Sequence, residues 1–191
     1  MYYVYNGKKI HYRFINGRSF CPIILLHGWG CDCTIFNNMV KYFPHKSFLT
    51  IDFPPFGKSD KNIEDWNIFT YVGMLMSLCQ HLSIEKCDIL GHSFGGRVAI
   101  ILSAVKRSLV QSCILVDSAG MKPRFNIKVK AKVLKYKLYK KLGKNTENFG
   151  SRDYLALPQN MRKVFSSVVN TYLEEYARKM SVKTLIVWGE N

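Results

Sequence analysis

The sequence has no apolar run long enough to cross a membrane. The longest run near its start, PIILL at residues 22–26, is much shorter than the roughly 20 residues that a membrane-spanning helix needs. The first residues, MYYVYNGKKIHYRF, also lack the apolar stretch and the small-residue cleavage site of a secretory signal peptide. We therefore expect a cytoplasmic protein.

The six cysteines do not form the pattern of a metal site. Because they are scattered through a chain with no export signal, we expect free thiols in a reducing compartment. Cys31 and Cys33 form a single C-x-C pair, and neither a second pair nor a matching pair of histidines accompanies it. Loop packing is the better interpretation, and we expect no metal and no other cofactor.

Acidic residues are scarce, and one segment of the chain has none. The chain carries 28 Lys and Arg residues against 13 Asp and Glu residues, which gives a net charge of +15. Between residues 121 and 145 there are ten Lys or Arg residues and no Asp or Glu. Such an imbalance is found in proteins that bind nucleic acid or anionic membranes.

The order of predicted elements indicates an α/β fold. With 191 residues, 48% of them hydrophobic, the chain can bury one core. The predicted elements are a hairpin at 2–5 and 9–15, strands at 22–26, 47–52, 86–90, 112–117 and 183–188, and helices at 34–43, 65–82 and 94–106. Apolar strands that alternate with helices indicate a mostly parallel sheet with helices on both faces.

One long segment interrupts this alternation. Residues 118–181 have an irregular helical pattern and are too long for an ordinary loop between two strands. We therefore divide the chain into a first part of the core at 1–117, a helical insertion at 118–181 and the start of a returning core strand at 182–191.

Ser93 lies in a tight turn between a predicted strand and a predicted helix. The strand ends at Gly91 and the helix begins at Phe94, so the serine occupies the turn itself. An outward-pointing hydroxyl requires a sharp turn, and glycine at positions 91 and 95 avoids collisions between neighbouring side chains. The sequence GHSFG at 91–95 is therefore typical of a nucleophile elbow. The alternative is a helix-capping serine in a glycine-rich turn.

A second loop is predicted to face the same serine. It follows the strand at 22–26 and consists of His27, Gly28, Trp29 and Gly30. Acyl transfer produces a negatively charged oxygen that needs two fixed N–H donors about 3 Å away. The N–H of Phe94 is one candidate and the N–H of Trp29 is the other. We interpret His27 and His92 as residues that support these loops.

These motifs together resemble the α/β-hydrolase superfamily, specifically serine hydrolases with a helical cap. The matching segments are LLHGWG, IDFPPFGKSD, ILGHSFGGRVA, LVDSAG and TLIVWGEN, in the order and at the spacing of that family. The resemblance includes general α/β-hydrolases and hydrolases that cleave carbon–carbon bonds of ring-fission products. It implies a cap at 118–181, and the serine separates the chain from similar epoxide hydrolases and haloalkane dehalogenases, whose nucleophile is aspartate.

No histidine follows Ser93 in the sequence. The five histidines are His11, His27, His45, His81 and His92. A serine nucleophile needs a histidine base and an acid that orients it, and hydrolases of this fold supply them in the order Ser, acid, His. The resemblance implies an aspartate directly after Asn191 and a histidine later, so we interpret the 191 residues as an incomplete form with very poor ester turnover. Asp117, at the end of a strand, is an alternative acid.

The basic segment is interpreted as a cap helix. Its apolar residues share one helical face and are Ile127, Ala131, Leu134, Leu138 and Leu142. We expect this face to cover the active site, with Tyr136, Tyr139 and Phe149 nearby, and the lysines to face solvent. Affinity for an anionic membrane surface is the alternative. Nucleic acid is disfavoured because no recognised reader motif accompanies the charge.

The sequence thus predicts hydrolysis of a small, largely apolar ester, thioester, lactone or C–C substrate. Ser93 would attack, and the N–H groups of Phe94 and Trp29 would hold the oxyanion. The alternative is a non-catalytic protein that keeps the hydrolase fold and binds a small ligand or a partner.

Overall fold

The architecture is a sheet with helices packed against it. The computed structural model describes residues 1–122, 127–142, 152–155 and 157–190. In this part of the chain the strands are β1 (Tyr2–Tyr5), β2 (Lys8–Ile15), β3 (Ile23–Leu26), β4 (Phe48–Ile51), β5 (Cys87–His92), β6 (Val110–Val116) and β7 (Lys183–Val187). They form one seven-stranded sheet in the order β1-β2-β4-β3-β5-β6-β7.

The sheet is mostly parallel, as the sequence predicts. Strand β3 pairs in parallel with β4 and β5, and β6 pairs in parallel with β5 and β7. Only β2 runs the other way, since it pairs antiparallel with both of its neighbours, β1 and β4. The parallel strands therefore bring their carboxyl ends to one edge, where ligands bind in open α/β sheets.

The predicted hairpin is confirmed. Strands β1 and β2 are joined by Asn6 and Gly7, whose φ angles are 48° and 73°. Two successive positive φ angles are what a two-residue turn needs to follow the twist of a hairpin, and Asn-Gly adopts them readily.

The helices fall in two groups, one before and one after β6. The first group is α1 (Asn37–Tyr42), α2 (Ile68–His81) and α3 (Phe94–Val105), with a 3₁₀ turn at Cys33–Phe36 before α1. The second is α4 (Ile127–Lys141), α5 (Arg152–Leu155), α6 (Gln159–Val169) and α7 (Glu174–Lys179). The predicted helix at 34–43 is thus divided between the 3₁₀ turn and α1.

Helix α2 begins three residues later than predicted because of its cap. The side chain of Asn67 accepts hydrogen bonds from the N–H groups of Phe69 and Thr70, and the Thr70 hydroxyl accepts one from the Asn67 N–H. This reciprocal cap satisfies amides that the first helical turn leaves free. It therefore fixes the helix start after Asn67.

The core lies between the sheet and helices α2 and α3. The apolar stripe of α2 is buried at Ile68, Val72, Leu75 and Cys79, each no more than 4% exposed. Helix α3 is buried from Phe94 to Ser103. Burial of this whole stretch fixes the start of α3, and with it the turn before the helix.

Arg97 ties the second group of helices to α3. This side chain is 6% exposed, and its guanidinium donates hydrogen bonds to the carbonyl oxygens of Val168, Thr171 and Val169 at 2.9, 2.8 and 3.2 Å. Leu173, directly after these residues, is fully buried and donates its N–H to the Gly120 carbonyl. The end of α6 is therefore held firmly against α3.

Helix α4 differs from its prediction. Leu134, Leu138 and Leu142 were expected to cover the active site, but they are 70%, 53% and 58% exposed. Ala131 is exposed as well, whereas Tyr136 and Tyr139, which project from other sides of the helix, are half-buried. The expectation of an inward leucine face is therefore wrong, because these leucines are exposed to solvent. Phe149 lies outside the described residues.

Strand β7 forms one edge of the sheet and is exposed along its whole length. Leu185 and Ile186 point to opposite faces and are 57% and 64% exposed. Across the described residues, no helix combines the length and the apolar character needed to cross a membrane.

Candidate active site

Ser93 is held in a backbone conformation that side-chain-bearing residues rarely adopt. Its φ and ψ angles are 48° and −107°. Strand β5 extends to His92 and α3 begins at Phe94, so this single residue makes the whole change from strand to helix. A residue in such a region is strained by about 1–3 kcal/mol, and strain of this kind concentrates at functional sites.

The glycines around Ser93 are required by close contacts. A Cβ atom at Gly91 would lie 2.6 Å from the carbonyl oxygen of Gly95 and 2.7 Å from the Cα atom of Gly96. A Cβ atom at Gly95 would overlap the carbonyl oxygen of Leu26 at the end of β3. The steric role predicted for both glycines is therefore confirmed, since each neighbour is a backbone atom that cannot rotate away.

The hydroxyl of Ser93 does not cap α3. The Ser93 N–H donates to the carbonyl of Val116 at 3.0 Å, and the Ser93 carbonyl accepts from the N–H groups of Gly96 and Ala119. Its side chain accepts no hydrogen bond from the first turn of the helix, and the residue is half-buried. The helix-capping alternative is therefore wrong, because backbone bonds hold this residue in place and leave the hydroxyl out of them.

The loop at residues 27–30 approaches Ser93 closely. A Cβ atom at Gly28 would lie 3.5 Å from the Cβ atom of Ser93 and 2.9 Å from Nδ1 of His92. Among the described residues, neither the N–H of Trp29 nor the N–H of Phe94 donates to a backbone carbonyl in the turns and loops. Gly30 has a φ of 82°, which lets the chain turn away after Trp29. The two amides named by the sequence analysis therefore belong to the two segments that meet at Ser93.

His27 fixes this loop and has no free ring nitrogen. It is fully buried; its Nε2 accepts the N–H of Phe53 at 2.8 Å, and its Nδ1 donates to the Gly28 carbonyl at 2.8 Å. Burial lowers the pKa of the imidazole, which stays neutral. A neutral ring with both nitrogens occupied is a structural bridge between the loop at 27–30 and the chain after β4.

Two buried polar atoms near Ser93 have no hydrogen-bond partner. They are Nδ1 of His92 and Nε1 of Trp29, and the statement holds for the part of the chain that the structure describes. A buried polar atom left unpaired costs about 1–3 kcal/mol, and among the described residues Thr50 Oγ1 and Ser103 Oγ are in the same state elsewhere in the fold. Sequence analysis gave no sign of either atom, because only packing decides which polar groups are buried.

Aromatic rings form one wall of the site. The ring of Trp29 packs edge-on against Phe56, Phe94 and Phe165, at centroid distances of 5.0, 5.3 and 5.3 Å. Phe165 belongs to α6, so the segment between β6 and β7 borders the loop that faces Ser93. No sequence pattern indicated a role for Phe165, and Phe56, although it lies in the segment IDFPPFGKSD, was not assigned to the site.

Asp117 lies at the same edge of the sheet as Ser93. It directly follows β6, which pairs with β5 up to Val116 and His92, and it has a φ of 42°. Its N–H donates to the Val187 carbonyl, and its Oδ1 accepts the N–H of Gly189 at 3.0 Å. The carboxylate is exposed and holds the chain that leaves β7.

Asp52 joins strand β2 to two loops. Its Oδ1 accepts the Cys33 N–H, and its Oδ2 accepts the Lys58 N–H and lies 2.8 Å from Nδ1 of His11. Burial alone would raise the pKa of this carboxyl, but these hydrogen bonds outweigh it and hold the pKa below its usual value.

The same cluster offers a set of donors for a metal ion. The ligand atoms of His11, Cys33 and Asp52 lie within 4.8 Å of one another, and a hollow of about 550 Å³ adjoins them. Both Asp52 oxygens already accept hydrogen bonds, and burial followed by the contact with Asp52 raises the pKa of the Cys33 thiol to about 11. The cluster is therefore satisfied as a hydrogen-bonded junction.

Ser93 does not line this hollow or the hollows near Phe20 and Gly73. The candidate site is therefore identified by the backbone geometry of Ser93 and not by a cavity.

Comparison with known proteins gives a consistent result. Residues 22–183 match the family described as alpha/beta hydrolase fold. A serine hydrolase-like protein of Danio rerio is 33% identical over 105 residues, which is 53% of this chain and 32% of that protein. A Mycoplasma pneumoniae protein with an esterase/lipase name is 26% identical over 165 residues, covering 85% of this chain and 57% of the relative.

The fold agrees with solved structures as well. The enol-lactonase from Burkholderia xenovorans superposes with a TM-score of 0.75 at 19% identity, over 100% of this chain and 82% of that one. At that identity the likeness concerns the fold alone. The chain spans less than two thirds of the length of both relatives found by sequence.

Proposed function

The chain belongs to the alpha/beta hydrolase fold family, and on this basis we propose that the protein is a serine hydrolase with Ser93 as its nucleophile. One observation carries the proposal. Ser93 alone makes the turn from β5 to α3 in a strained left-handed conformation, with its hydroxyl outside the backbone bonds that hold the turn. Names of relatives as serine hydrolase-like and esterase/lipase support the same reaction class.

We assign the oxyanion site to the N–H groups of Phe94 and Trp29. The Phe94 amide opens α3, where amides lack intrahelical partners and the helix dipole favours negative charge. The Trp29 amide lies in the loop that Gly28 brings against Ser93. Donors fixed before reaction stabilise the developing charge without reorganisation, and removing one such donor costs about 100- to 1000-fold in rate.

The aromatic wall favours a small, largely apolar ester, thioester, lactone or C–C substrate. The edges and faces of Trp29, Phe56 and Phe165 offer apolar contact next to the serine. Ligand sites of this kind are mainly apolar, with few polar groups that fix orientation. The unpaired Nε1 of Trp29 is one group suited to that role. The helices between β6 and β7 act as the cap in this proposal, because α6 supplies Phe165.

We place the acid and the histidine base outside the 191 residues. His27 cannot take the serine proton without losing the bond from Phe53 or the bond to Gly28. His92 directly precedes Ser93, and we assign it to the support of the turn rather than to the role of base. Asp117 is already bonded to Gly189, and it remains the alternative acid.

The test uses the product of the whole gene and, in parallel, the 191-residue chain. In the whole product, Ser93→Ala should lower the hydrolysis of p-nitrophenyl butyrate by about 10,000-fold, whereas Ser167→Ala, which changes an exposed serine of α6, should not. In the 191-residue chain turnover should be poor, and Ser93→Ala should change it little.

A fluorophosphonate probe separates catalysis from ligand binding alone. Only an activated serine reacts readily, so mass spectrometry should find the adduct on Ser93 of the whole product. Retention of full esterase activity by Ser93→Ala would overturn the proposal. Absence of both labelling and turnover would favour a non-catalytic binding protein of the same fold.

A further inference from the structure

The exposed face of α4 is apolar in the middle and basic on both sides. Leu134, Leu138 and Leu142 follow one another at four-residue spacing and are at least 53% exposed. At 100° per residue, these three side chains span an arc of about 80° on the helix surface. Three exposed leucines in one stripe are unusual, because a helix normally turns such a stripe toward the core.

Lysines flank the leucine stripe. Measured from Leu138 at 100° per residue, Lys135 lies about 60° to one side, and Lys141 and Lys137 lie about 60° and 100° to the other. All three lysines are exposed. No acidic residue occurs between positions 121 and 145 to offset this charge.

We propose that the leucine stripe of α4 docks on the surface of an anionic lipid bilayer. A helix in this position lies in the plane of the interface, with its apolar side chains among the upper acyl chains and its lysines at the lipid phosphates. Long lysine side chains reach from the flanks to the headgroups. The proposal accounts for two features together, the exposed leucines and the positive charge on both sides of them.

Nucleic acid explains only one of these features. Binding to phosphates needs the lysines, but it gives no reason for three exposed leucines between them. An anionic bilayer offers an apolar layer directly beneath a negatively charged one, and this order matches the pattern across the helix. The lysines complement the lipid phosphates, and the leucines match the apolar layer beneath them. An anionic bilayer therefore fits this helix better than nucleic acid does.

Two tyrosines on another side of α4 are less exposed than the leucines. Tyr136 and Tyr139 are half-buried, and Lys135 lies over the Tyr139 ring at 5.5 Å from its centroid. Among the described residues of α4, the leucine stripe is therefore the apolar part that is most open to its surroundings. Docking does not depend on the chemistry of Ser93, so it can be measured with or without hydrolysis.

The experiment is flotation of the 191-residue protein with lipid vesicles. One set contains equal phosphatidylglycerol and phosphatidylcholine, and the other contains phosphatidylcholine alone. We expect binding to the first set, little binding to the second, and a partition coefficient that falls as salt rises. Changing Leu134 and Leu138 together to Gln should weaken binding by about tenfold or more. Circular dichroism should show an unchanged fold, because both side chains are exposed.

The charge contribution is tested with two triple variants of equal net charge. Lys135→Gln, Lys137→Gln and Lys141→Gln together should weaken binding by up to about 100-fold, at roughly fivefold for each lysine. The matched control changes three exposed lysines elsewhere to Gln, and these are Lys9, Lys41 and Lys46. The control should stay within about threefold of the unmodified protein.

The apolar contribution has its own control. Phe20 and Tyr42 are 106% and 81% exposed and lie far from α4 in the sequence, so their joint change to Gln should leave vesicle binding unchanged. Equal losses from the α4 variants and the control variants would overturn the proposal, since they would indicate nonspecific attraction. Absence of vesicle binding would overturn it too. So would binding to duplex DNA that outcompetes the vesicles and ignores the leucine changes.

Discussion

Changing Gly91 to alanine tests the packing of the turn that holds Ser93. The added Cβ atom would lie 2.6, 2.7 and 2.8 Å from backbone atoms of Gly95 and Gly96, distances that real Cβ atoms do not reach. Overpacking of this kind costs about 1–3 kcal/mol, and the upper end applies because backbone neighbours cannot rotate away. Alanine also restricts the unfolded chain, which returns about 0.4–1 kcal/mol. We therefore expect a net loss of about 2 kcal/mol in the free energy of unfolding.

The measurement is urea denaturation at neutral pH, followed by fluorescence. With a slope of about 2 kcal/mol per M, the midpoint should fall by about 1 M. Gly73→Ala is the matched control, because a Cβ atom there meets only the hydroxyl end of Tyr5, which can move. Gly73 lies inside α2, where alanine is favoured over glycine by about 1 kcal/mol, so its change should be neutral or stabilising.

The two variants make the same chemical change and should differ in sign. If Gly91→Ala unfolds within about 0.5 kcal/mol of the unmodified protein, β5 and α3 do not meet as closely as described. The close packing that holds Ser93 in its strained conformation would then be absent. Hydrolysis by the whole gene product should fall along with stability, since displacement of α3 moves the Phe94 amide relative to Ser93.

Two further changes test other parts of the structure. Arg97→Met should lower the free energy of unfolding by about 3 kcal/mol, because three carbonyl oxygens lose their donor. The control is Arg107→Met, at an exposed site with one carbonyl contact, which should change the free energy of unfolding by less than about 0.5 kcal/mol. Asp52→Asn should destabilise the protein most near neutral pH. The folded pKa of Asp52 is depressed, so the stability its charge adds is complete above the unfolded value of about 3.9 and is lost as pH falls through the folded value. Urea titrations at about pH 7, 5 and 3 should show the difference from the unmodified protein shrinking, and a constant difference would contradict this role.

Much of the fold follows from local patterns in the sequence. Continuous apolar runs identified the parallel strands, and the Asn6-Gly7 pair identified the hairpin turn. The turn at Ser93 could also be predicted from the sequence, because glycine at positions 91 and 95 reflects steric contacts that any sharp strand-to-helix turn creates. The start of α2 was misplaced because the reciprocal cap at Asn67 was not recognised.

Features that depend on distant contacts could not be predicted. Phe165 meets Trp29 across 136 positions of sequence, and no local pattern indicates such a contact. The leucine face of α4 illustrates the same limit, because periodicity shows that a face is apolar but not what it faces. Likewise, the hydrogen bond from the Phe53 N–H to His27 forms only when the chain after β4 and the loop at 27–30 come together.

The guanidinium of Arg97 has a consequence for how molecules reach the serine. Separating the end of α6 from α3 would break three hydrogen bonds from a charged donor, at a cost of about 4 kcal/mol. Thermal fluctuation would then open this contact in about one molecule in a thousand. In the proposed hydrolase, we therefore expect Phe165 to stay fixed beside Trp29, so that access to Ser93 does not require movement of α6.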